Sequence, residues 1–408
     1  MNIGVAIFGL ALLVLIHEAG HFFVARAVGM RPRRFYVGFP PAVVKARRKG
    51  IEYGIGAIPL GGYVKIPGMH RPAPTDVDGH FARPLKEAPG LSAAVERVKR
   101  TLGAGDFDDA TADVDALETA VADAGLSPPT KAAAERGIRE LRDSLGADAY
   151  WRQQTWRKVA VIVAGPAANA VTAVALLVVL FLAGVPTGAE RVVEQIVPGS
   201  PAQHVGLRPG DEIIAVDGRP IEATEIPKLI REGGGKPLQL IVIRGSTPVV
   251  INNARPRPTG DGAYRLGFAL AARYESYSFP RSVALALEET GRVTRAIGGA
   301  LVDVVSGRDR KAVSTPVGVV QGSSQALEAG VRHYLQVLAL ISLSLALLNL
   351  LPLLPLDGGH IFFSLLEGVR GRAIGRAAYE RASVIGIAFV LFLFAIGLSN
   401  DISRIRGG

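Results

Sequence analysis

Two histidines and a glutamate lie within an apolar N-terminal run that extends from Ile3 to Val28. His17 and His21 are four residues apart, so on a helix they share one face with Cβ atoms about 5–6 Å apart, and both rings can reach one metal ion. Glu18 follows the first histidine and can take a proton from a water that the metal activates. The spacing H-E-x-x-H therefore predicts a zinc site.

A five-residue pattern of this kind also occurs by chance on surface helices of soluble proteins, and its surroundings decide between the two interpretations. A single charged side chain costs roughly 2.5–3.5 kcal/mol at the centre of a membrane helix. Polar groups held at that depth are expected to have a function, and metal binding is the function that these residue types favour.

The composition is that of a membrane protein. The chain has 408 residues, of which 49% are hydrophobic, and it carries a formal charge of +10. Four apolar segments, residues 3–28, 159–183, 335–356 and 382–399, are long enough to cross a bilayer, which takes about 20 helical residues. Because there is no cysteine, zinc must be held by nitrogen and oxygen ligands. The sequence predicts a polytopic α-helical membrane protein with four transmembrane helices in the lipid bilayer.

The basic residues crowd the ends of the apolar segments and form no stripe, which argues against nucleic acid as a partner. Three clusters carry this pattern: Arg31, Arg33 and Arg34; Arg157 and Lys158; Arg370, Arg372 and Arg376. They follow the first span, precede the second, and lie between the third and the fourth. The positive-inside rule therefore places all three clusters on the cytoplasmic side and both termini outside.

The segment between the first two spans is predicted to contain two structural elements. Residues 51–66 alternate in apolar character around Gly61-Gly62, which indicates a membrane-associated β-hairpin with a bend at the glycines. Residues 72–148 are rich in Ala, Asp, Glu and Arg, and their periodic apolar positions predict three short amphipathic helices. We interpret this second part as a cytoplasmic helical insertion.

A third zinc ligand is expected near the end of the third span, because a catalytic zinc commonly has three protein ligands and one open position. Pro352 and Pro355 break the helix there, so the carboxylate of Asp357 can turn inward toward a protein cavity. Taken alone, Asp357 is more simply explained as a helix cap; beside the buried histidines, the ligand interpretation is favoured. His360 is expected near the ligands and not among them.

Residues from about 190 to 270 form a soluble unit of strands and short helices between the second and third spans. Within it, residues 197–218 resemble the circularly permuted PDZ domains of bacterial envelope proteases. Ser200-Pro201-Ala202 is expected to open a short helix, Ile213 to Val216 to form a strand, and Asp217-Gly218 to form a turn. The resemblance implies an α+β PDZ domain that either binds an extended chain end as an added strand or restricts access by its bulk.

Several sequence elements together resemble the site-2 protease family, and the best match is its bacterial RseP-like group. They are the H-E-x-x-H in a first span, Pro59-Leu60-Gly61-Gly62-Tyr63-Val64, Ala164-Gly165-Pro166-Ala167-Ala168-Asn169, one PDZ domain, and the run from Asn349 through Pro352 to Leu356-Asp357-Gly358. The resemblance covers the chain except the insertion. It implies that His17, His21 and Asp357 bind zinc and that Glu18 is the general base. It also places Asn349 near the substrate backbone and matches Asn169 to a family motif.

The chain departs from the family pattern at three points. Pro352 and Pro355 are separated by two leucines where the family usually has P-x-P, so the local shape around Asp357 is expected to differ from the family's. A single PDZ unit replaces the tandem pair of some relatives, and the insertion is unusual.

The resemblance implies an intramembrane zinc metalloprotease that cleaves single-span membrane proteins, such as anti-sigma factors or remnant signal peptides, in regulated intramembrane proteolysis. It implies a multi-pass protein of the bacterial inner (cytoplasmic) membrane with an extracytoplasmic PDZ domain. One alternative is the class of prenyl-protein and stress-type zinc endopeptidases, which take the third ligand from a downstream glutamate; Asp357-Gly358 disfavours it. A second alternative is a PDZ-containing membrane scaffold with a vestigial metal site.

These expectations divide the chain into seven parts. They are the first transmembrane helix with the hairpin (1–70), the cytoplasmic helical insertion (71–150), the second transmembrane helix (151–187), the PDZ domain (188–272), an extracytoplasmic linker (273–334), the third transmembrane helix with the L-D-G motif (335–370) and the fourth transmembrane helix (371–408).

Overall fold

The computed structural model describes residues 2–260, 262–306, 308 and 315–407. Two compact units can be separated, one made of residues 1–177 and 287–408 and the other of residues 178–286.

The helices and strands of the described residues follow one another along the chain. The helices are α1 (Asn2–Ala27), α2 (Pro74–Glu87), α3 (Ser92–Ala104), α4 (Phe107–Asp123), α5 (Pro128–Leu145), α6 (Thr155–Ala183), α7 (Pro201–His204), α8 (Ile226–Glu232), α9 (Phe279–Val305), α10 (Pro316–Glu328), α11 (Val331–Asn349), α12 (Asp357–Arg370) and α13 (Arg376–Gly407). The strands are β1 (Arg34–Arg48), β2 (Ile51–Lys65), β3 (Val185–Ile196), β4 (Glu212–Val216), β5 (Arg219–Pro220), β6 (Leu238–Arg244), β7 (Thr247–Ala254), β8 (Arg257–Pro258), β9 (Tyr264–Arg265) and β10 (Phe268–Glu275).

Four of the described helices, α1, α6, α11 and α13, are long and apolar enough to cross a membrane. Many of their apolar side chains, such as Phe8, Val171 and Ile385, are exposed on the chain itself, as expected of surfaces that face lipid. The four predicted apolar helices are therefore confirmed. The third one ends earlier than predicted, at Asn349 and not at residue 356, because the residue before a proline is disfavoured in a helix and two prolines follow closely.

The hairpin differs from its prediction, because the two halves of residues 51–66 pair with β1 and not with each other. Residues 34–37 of β1 pair with residues 62–65 on one side and with residues 52–55 on the other. Residues 44–48 pair with residues 51–55, so the two long strands fold into a four-segment sheet. The tight turn that joins β1 and β2 lies at Lys49-Gly50, and both residues have positive φ. Segment 62–65 lies at one edge of this sheet.

The insertion contains four helices, α2 to α5, and not the three predicted. The extra helix is α2, which begins at Pro74 and contains Pro84 inside it, two features that weaken the periodic signal in the sequence. Buried side chains of all four helices form one core, in which Phe81, Val95 and Leu117 are fully buried. The insertion is thus a small helical bundle with a core of its own.

The chain leaves the sheet and returns from the insertion at neighbouring points. The backbone N–H of Tyr150 donates to the carbonyl of Pro67 at 2.9 Å, and that of Trp151 donates to Gly68 at 3.0 Å. Side chains also connect the bundle to the sheet: the Arg33 guanidinium contacts Asp143 at 2.7 Å and Asp148 at 2.9 Å, and the Lys65 ammonium contacts Glu140 at 3.2 Å.

The second unit, residues 178–286, is built on a sheet with the strand order β10-β3-β4-β6-β7, and β5 pairs with β4. Ile213, Leu240 and Leu266 lie in its buried core. The expected short helix after Ser200 is present as α7, and the Ser200 hydroxyl accepts a hydrogen bond from Gln203 N at 3.4 Å. The expected strand at residues 213–216 is β4, and the turn at Asp217-Gly218 has positive φ at both residues.

Helices α9 and α10 lie within the described part of residues 273–334, the region predicted as a linker, and α11 begins at its end. Thr315 caps α10 by accepting a hydrogen bond from Val317 N at 3.3 Å. The assignment of residues 273–334 as an extracytoplasmic linker, like the other domain boundaries, stays a prediction.

A buried carboxylate stabilises the second unit. Asp211 is 1% exposed and accepts hydrogen bonds from Arg244 Nε, Arg244 Nη2 and Arg208 N, each at 2.8 Å. Burial alone raises the pKa of Asp211, but these donors outweigh it and lower the pKa below its ordinary value. A carboxyl whose pKa is lowered by folding contributes stability above its unfolded pKa, and this contribution is lost as the pH falls through the folded pKa.

We expect Asp211→Asn to lower the free energy of unfolding of this unit at pH 7 by about 2 kcal/mol and to reduce its sensitivity to acid. Pulse proteolysis of the detergent-solubilised full-length protein, followed at cleavage sites within residues 178–286, measures both. Glu212→Gln is the control, because Glu212 pairs with Arg191 at 2.8 Å in a more exposed position. Equal stability losses in the two variants would contradict the assignment.

Candidate metal centre

His17 and His21 lie one turn apart on the buried face of α1. Their Nε2 atoms are 3.2 Å apart, and their rings meet edge to face with centroids 4.8 Å apart. Each side chain is about one-tenth exposed. The i, i+4 spacing thus aims two ring nitrogens at the same point.

Asp357 joins the two histidines from the other end of the chain. It is the first residue of α12 and follows the irregular segment 350–356. Its Oδ2 atom lies 3.1 Å from His17 Nε2 and 3.3 Å from His21 Nε2. The structure therefore brings together the three residues that the sequence predicts as ligands, although His21 and Asp357 are 336 positions apart in the chain.

Neighbouring groups on α6 orient both imidazole rings. His21 Nδ1 lies 2.8 Å from the carbonyl oxygen of Val161, so Nδ1 carries the proton and Nε2 keeps a free lone pair. His17 Nδ1 lies 3.4 Å from Nδ2 of the Asn169 side-chain amide, and Oδ1 of the same amide has no hydrogen-bond partner among the described residues. Because amide orientation is an assignment, turning this amide lets Oδ1 accept from His17 Nδ1–H. Ser342 Oγ on α11 donates to the backbone carbonyl of Asn169 at 2.8 Å.

The three facing atoms fit a bound metal ion. Two imidazole lone pairs and a carboxylate oxygen are all acceptors, so they repel one another unless a cation lies between them. Asp357 Oδ2 is buried and has no hydrogen-bond donor among the described residues. Ligand atoms around a tetrahedral zinc ion are separated by roughly 3.3 Å, which agrees with the 3.1–3.3 Å found here. Two nitrogens and one oxygen are also a ligand set that zinc uses.

Glu18 lies beside this cluster, under the edge segment 62–65 of the sheet. Its carboxylate lies next to the backbone of Val64. A side chain at position 62 would overlap the Cγ atom of Glu18, so only glycine allows the strand to pass this closely. The edge segment therefore fixes where the Glu18 carboxylate points.

A cavity of about 370 Å³ connects these groups. His17, Glu18, His21 and Asp357 line it together with Asn349, the last residue of α11. Apolar side chains complete the wall: Val14, Phe39, Val64, Ile66, Met69, Ile162, Leu345 and Pro355. The cavity thus combines a polar cluster, an amide and an apolar lining, which suits an extended peptide segment.

The sequence did not reveal which residues orient the ligands. Val161 acts through its backbone, so its side-chain type carries no signal. Asn169 was matched to a family motif, but the match gave this residue no function. A lone asparagine within an apolar helix nevertheless indicates a buried hydrogen bond. Gly165 was another such signal: a Cβ atom there would overlap the His21 ring, so the close crossing of α1 and α6 requires glycine. His360 lines the cavity but does not belong to the ligand cluster, as expected.

Comparison with known proteins gives matches along almost the whole chain. The model of the family described as peptidase family M50 matches residues 5–393. A provisionally named zinc metalloprotease of Rhizobium meliloti is 31% identical over 98% of this chain and 96% of its own length. One of Agrobacterium fabrum is 29% identical over 98% of this chain and 94% of its own. The Bacillus subtilis protein named regulator of sigma-W protease RasP is 27% identical over 96% of each chain.

We expect Gly165→Ala to lower zinc affinity by about tenfold or more, because the added methyl group displaces the His21 ring from the shared point. Zinc content after dialysis against a chelator of graded strength measures this loss in the purified full-length protein. Gly4→Ala is the matched control, since a Cβ atom at position 4 of α1 meets open space. A Gly165→Ala protein that keeps zinc as tightly as the Gly4→Ala protein would show that the ring does not depend on this crossing.

Proposed function

Because this chain belongs to peptidase family M50 and is a zinc metalloprotease of the site-2 type, we propose that it cleaves the transmembrane segments of single-span membrane proteins. It is a multi-pass bacterial membrane protein. The observation that carries the proposal is the cluster of His17, His21 and Asp357, which lies among helices long and apolar enough to cross a membrane. Such a site has direct access to peptide bonds that a bilayer shields from soluble proteases.

His17, His21 and Asp357 are the proposed zinc ligands. Zinc bound there supplies a Lewis acid that polarises the scissile carbonyl and makes water a stronger acid. The Val161 carbonyl keeps the proton of His21 on Nδ1, so that Nε2 faces the ion. Asn169 does the same for His17 when its amide is turned so that Oδ1 accepts from Nδ1–H. This arrangement is prepared before substrate arrives, so little reorganisation is needed during the reaction.

Glu18 is the proposed general base. Its carboxylate takes one proton from the attacking water and then gives it to the amine that leaves, so it ends the cycle in its starting state. The close approach of the strand at Gly62 keeps the carboxylate beside the cluster between the two transfers. Its place in the cavity next to both histidines supports this role.

The edge segment 62–65 is the proposed binding strand for the substrate. A helical substrate hides its carbonyls in its own hydrogen bonds, so a stretch of it must unwind before hydrolysis. A sheet edge next to the cavity offers backbone partners to the extended stretch, and Asn349 offers an amide to its backbone. The glycine at position 62 lets that stretch approach Glu18 closely.

The substrates that we propose are anti-sigma factors already clipped outside the membrane, or remnant signal peptides. Support comes from the Bacillus subtilis relative, whose name describes a regulator of a sigma factor. We also propose that the second unit, residues 178–286, contains a PDZ domain on the extracytoplasmic side, which selects substrates by binding a chain end or by excluding bulky uncut proteins. The mixed sheet and the short helix after Ser200 support the PDZ assignment.

Glu18→Gln tests the general base. We expect cleavage of a reconstituted single-span substrate to fall at least about a hundredfold, because the amide cannot accept the proton. Zinc content should stay near that of the unmodified protein, since Glu18 is not among the proposed ligands. Glu288→Gln, on the exposed surface of α9, is the matched control and should cleave normally. Membrane proteomes of cells with the Glu18→Gln protein should accumulate transmembrane fragments, which identify the substrates; turnover retained by that variant would refute the base assignment.

Asp357→Ala tests the third ligand. We expect bound zinc to fall by about tenfold or more at limiting metal, because two histidines alone hold the ion weakly. Metal analysis of the purified protein measures this without an activity assay. Full zinc occupancy in Asp357→Ala, together with loss of cleavage, would move Asp357 from the ligand set to a substrate contact.

A further inference from the structure

A large basic cavity lies where α1 ends, between the four-segment sheet and helix α5 of the insertion. Its volume is about 1070 Å³. Eleven cationic residues and three acidic ones, Glu52, Glu140 and Asp143, line it. The cationic residues are Arg26, Arg31, Arg33, Arg34, Lys45, Arg47, Lys49, Lys65, Arg136, Arg139 and Arg142. This cavity is separate from the metal centre, and the proposed proteolysis gives it no role.

Some of these cations are paired and hold the structure together. Arg33 binds Asp143 and Asp148, and Lys65 binds Glu140, so the sheet is connected to the insertion. Five others, Arg26, Arg31, Arg47, Lys49 and Arg136, have no carboxylate within 4.0 Å in the part of the chain that the structure describes. Like charges that converge on one concave surface repel one another, and a bound anion relieves that repulsion.

The apolar side chains of the same sheet indicate which kind of anion suits this cavity. Phe39, Val43, Val44, Ile55 and Ile58 are 43–70% exposed and lie away from the basic end of β1 and β2. Exposed apolar groups on a sheet that adjoins membrane-spanning helices are expected to enter the hydrocarbon region. The cations at residues 45–49 directly follow these apolar positions along β1, so we expect them at the level of the lipid headgroups.

We propose that this cavity binds the headgroups of anionic phospholipids, such as phosphatidylglycerol, from the leaflet at the end of α1. The phosphate meets guanidinium groups of the sheet and of α5, which bind phosphate through paired hydrogen bonds. The acyl chains run along the exposed apolar face of the sheet, a contact that neither a soluble phosphate nor an acidic peptide needs. Because Arg136 belongs to the insertion, the lipid joins the insertion to the membrane surface and to the sheet whose edge covers Glu18.

The test measures lipid retention by the full-length protein. Native mass spectrometry of the purified protein, titrated with phosphatidylglycerol or phosphatidylcholine in the same detergent, gives the affinity for each lipid. We expect selective retention of phosphatidylglycerol that millimolar inorganic phosphate does not abolish. Equal retention of both lipids would overturn the proposal, and displacement by inorganic phosphate would make this a site for free anions.

Matched charge variants localise the binding. The double variant Arg47→Gln/Arg136→Gln removes two unpaired cations of the cavity, and we expect phosphatidylglycerol affinity to fall about fivefold for each. The control Arg97→Gln/Arg100→Gln removes the same charge from the exposed surface of α3, outside the cavity, and should leave affinity unchanged. Unchanged zinc content shows that each variant is folded. Equal losses in the two double variants would show attraction to total charge only and would overturn the proposed site.

Discussion

This fold must hold three electron-rich ligand atoms close together in a buried site: Nε2 of His17, Nε2 of His21 and Oδ2 of Asp357. His17 and His21 come from the first helix and Asp357 from a segment near the end of the chain, and a cation between the three facing atoms offsets their mutual repulsion. Zinc binding therefore depends on how α1, α6 and α12 pack together, because each of these helices supplies or orients a ligand.

Close backbone approach is what makes this convergence possible. Gly165 allows α6 to lie against the His21 ring, and Gly62 allows a strand to lie against Glu18. Because neither glycine has a side chain, the backbone at each position can lie directly against the active-site residue. Each approach also places a backbone polar group next to the site, the Val161 carbonyl in one case and the Val64 N–H in the other. Rigid backbone atoms are well suited to holding ionisable side chains, since they lose little conformational freedom in doing so.

The sequence predicted the features that depend on local residue type. Apolar length identified the four spanning helices, and H-E-x-x-H with a downstream aspartate identified the residues that cluster, because zinc chemistry permits few alternatives. It did not predict that residues 34–37 would separate the two halves of β2, since strand partners are set by tertiary contacts and not by alternation. It also missed α2, whose prolines hide its periodicity, and the role of Val161, which acts through an atom that every residue carries.

The hydrogen bonds of Tyr150 to Pro67 and of Trp151 to Gly68 bring the two ends of the insertion side by side. A module attached through adjacent ends can be gained, lost or exchanged during evolution while the chain on either side keeps its path. With a core built from its own helices, the bundle has the properties of a module that can change without altering the fold on either side of it. Diversification of such enzymes can then proceed at this junction, leaving the hydrolytic machinery undisturbed.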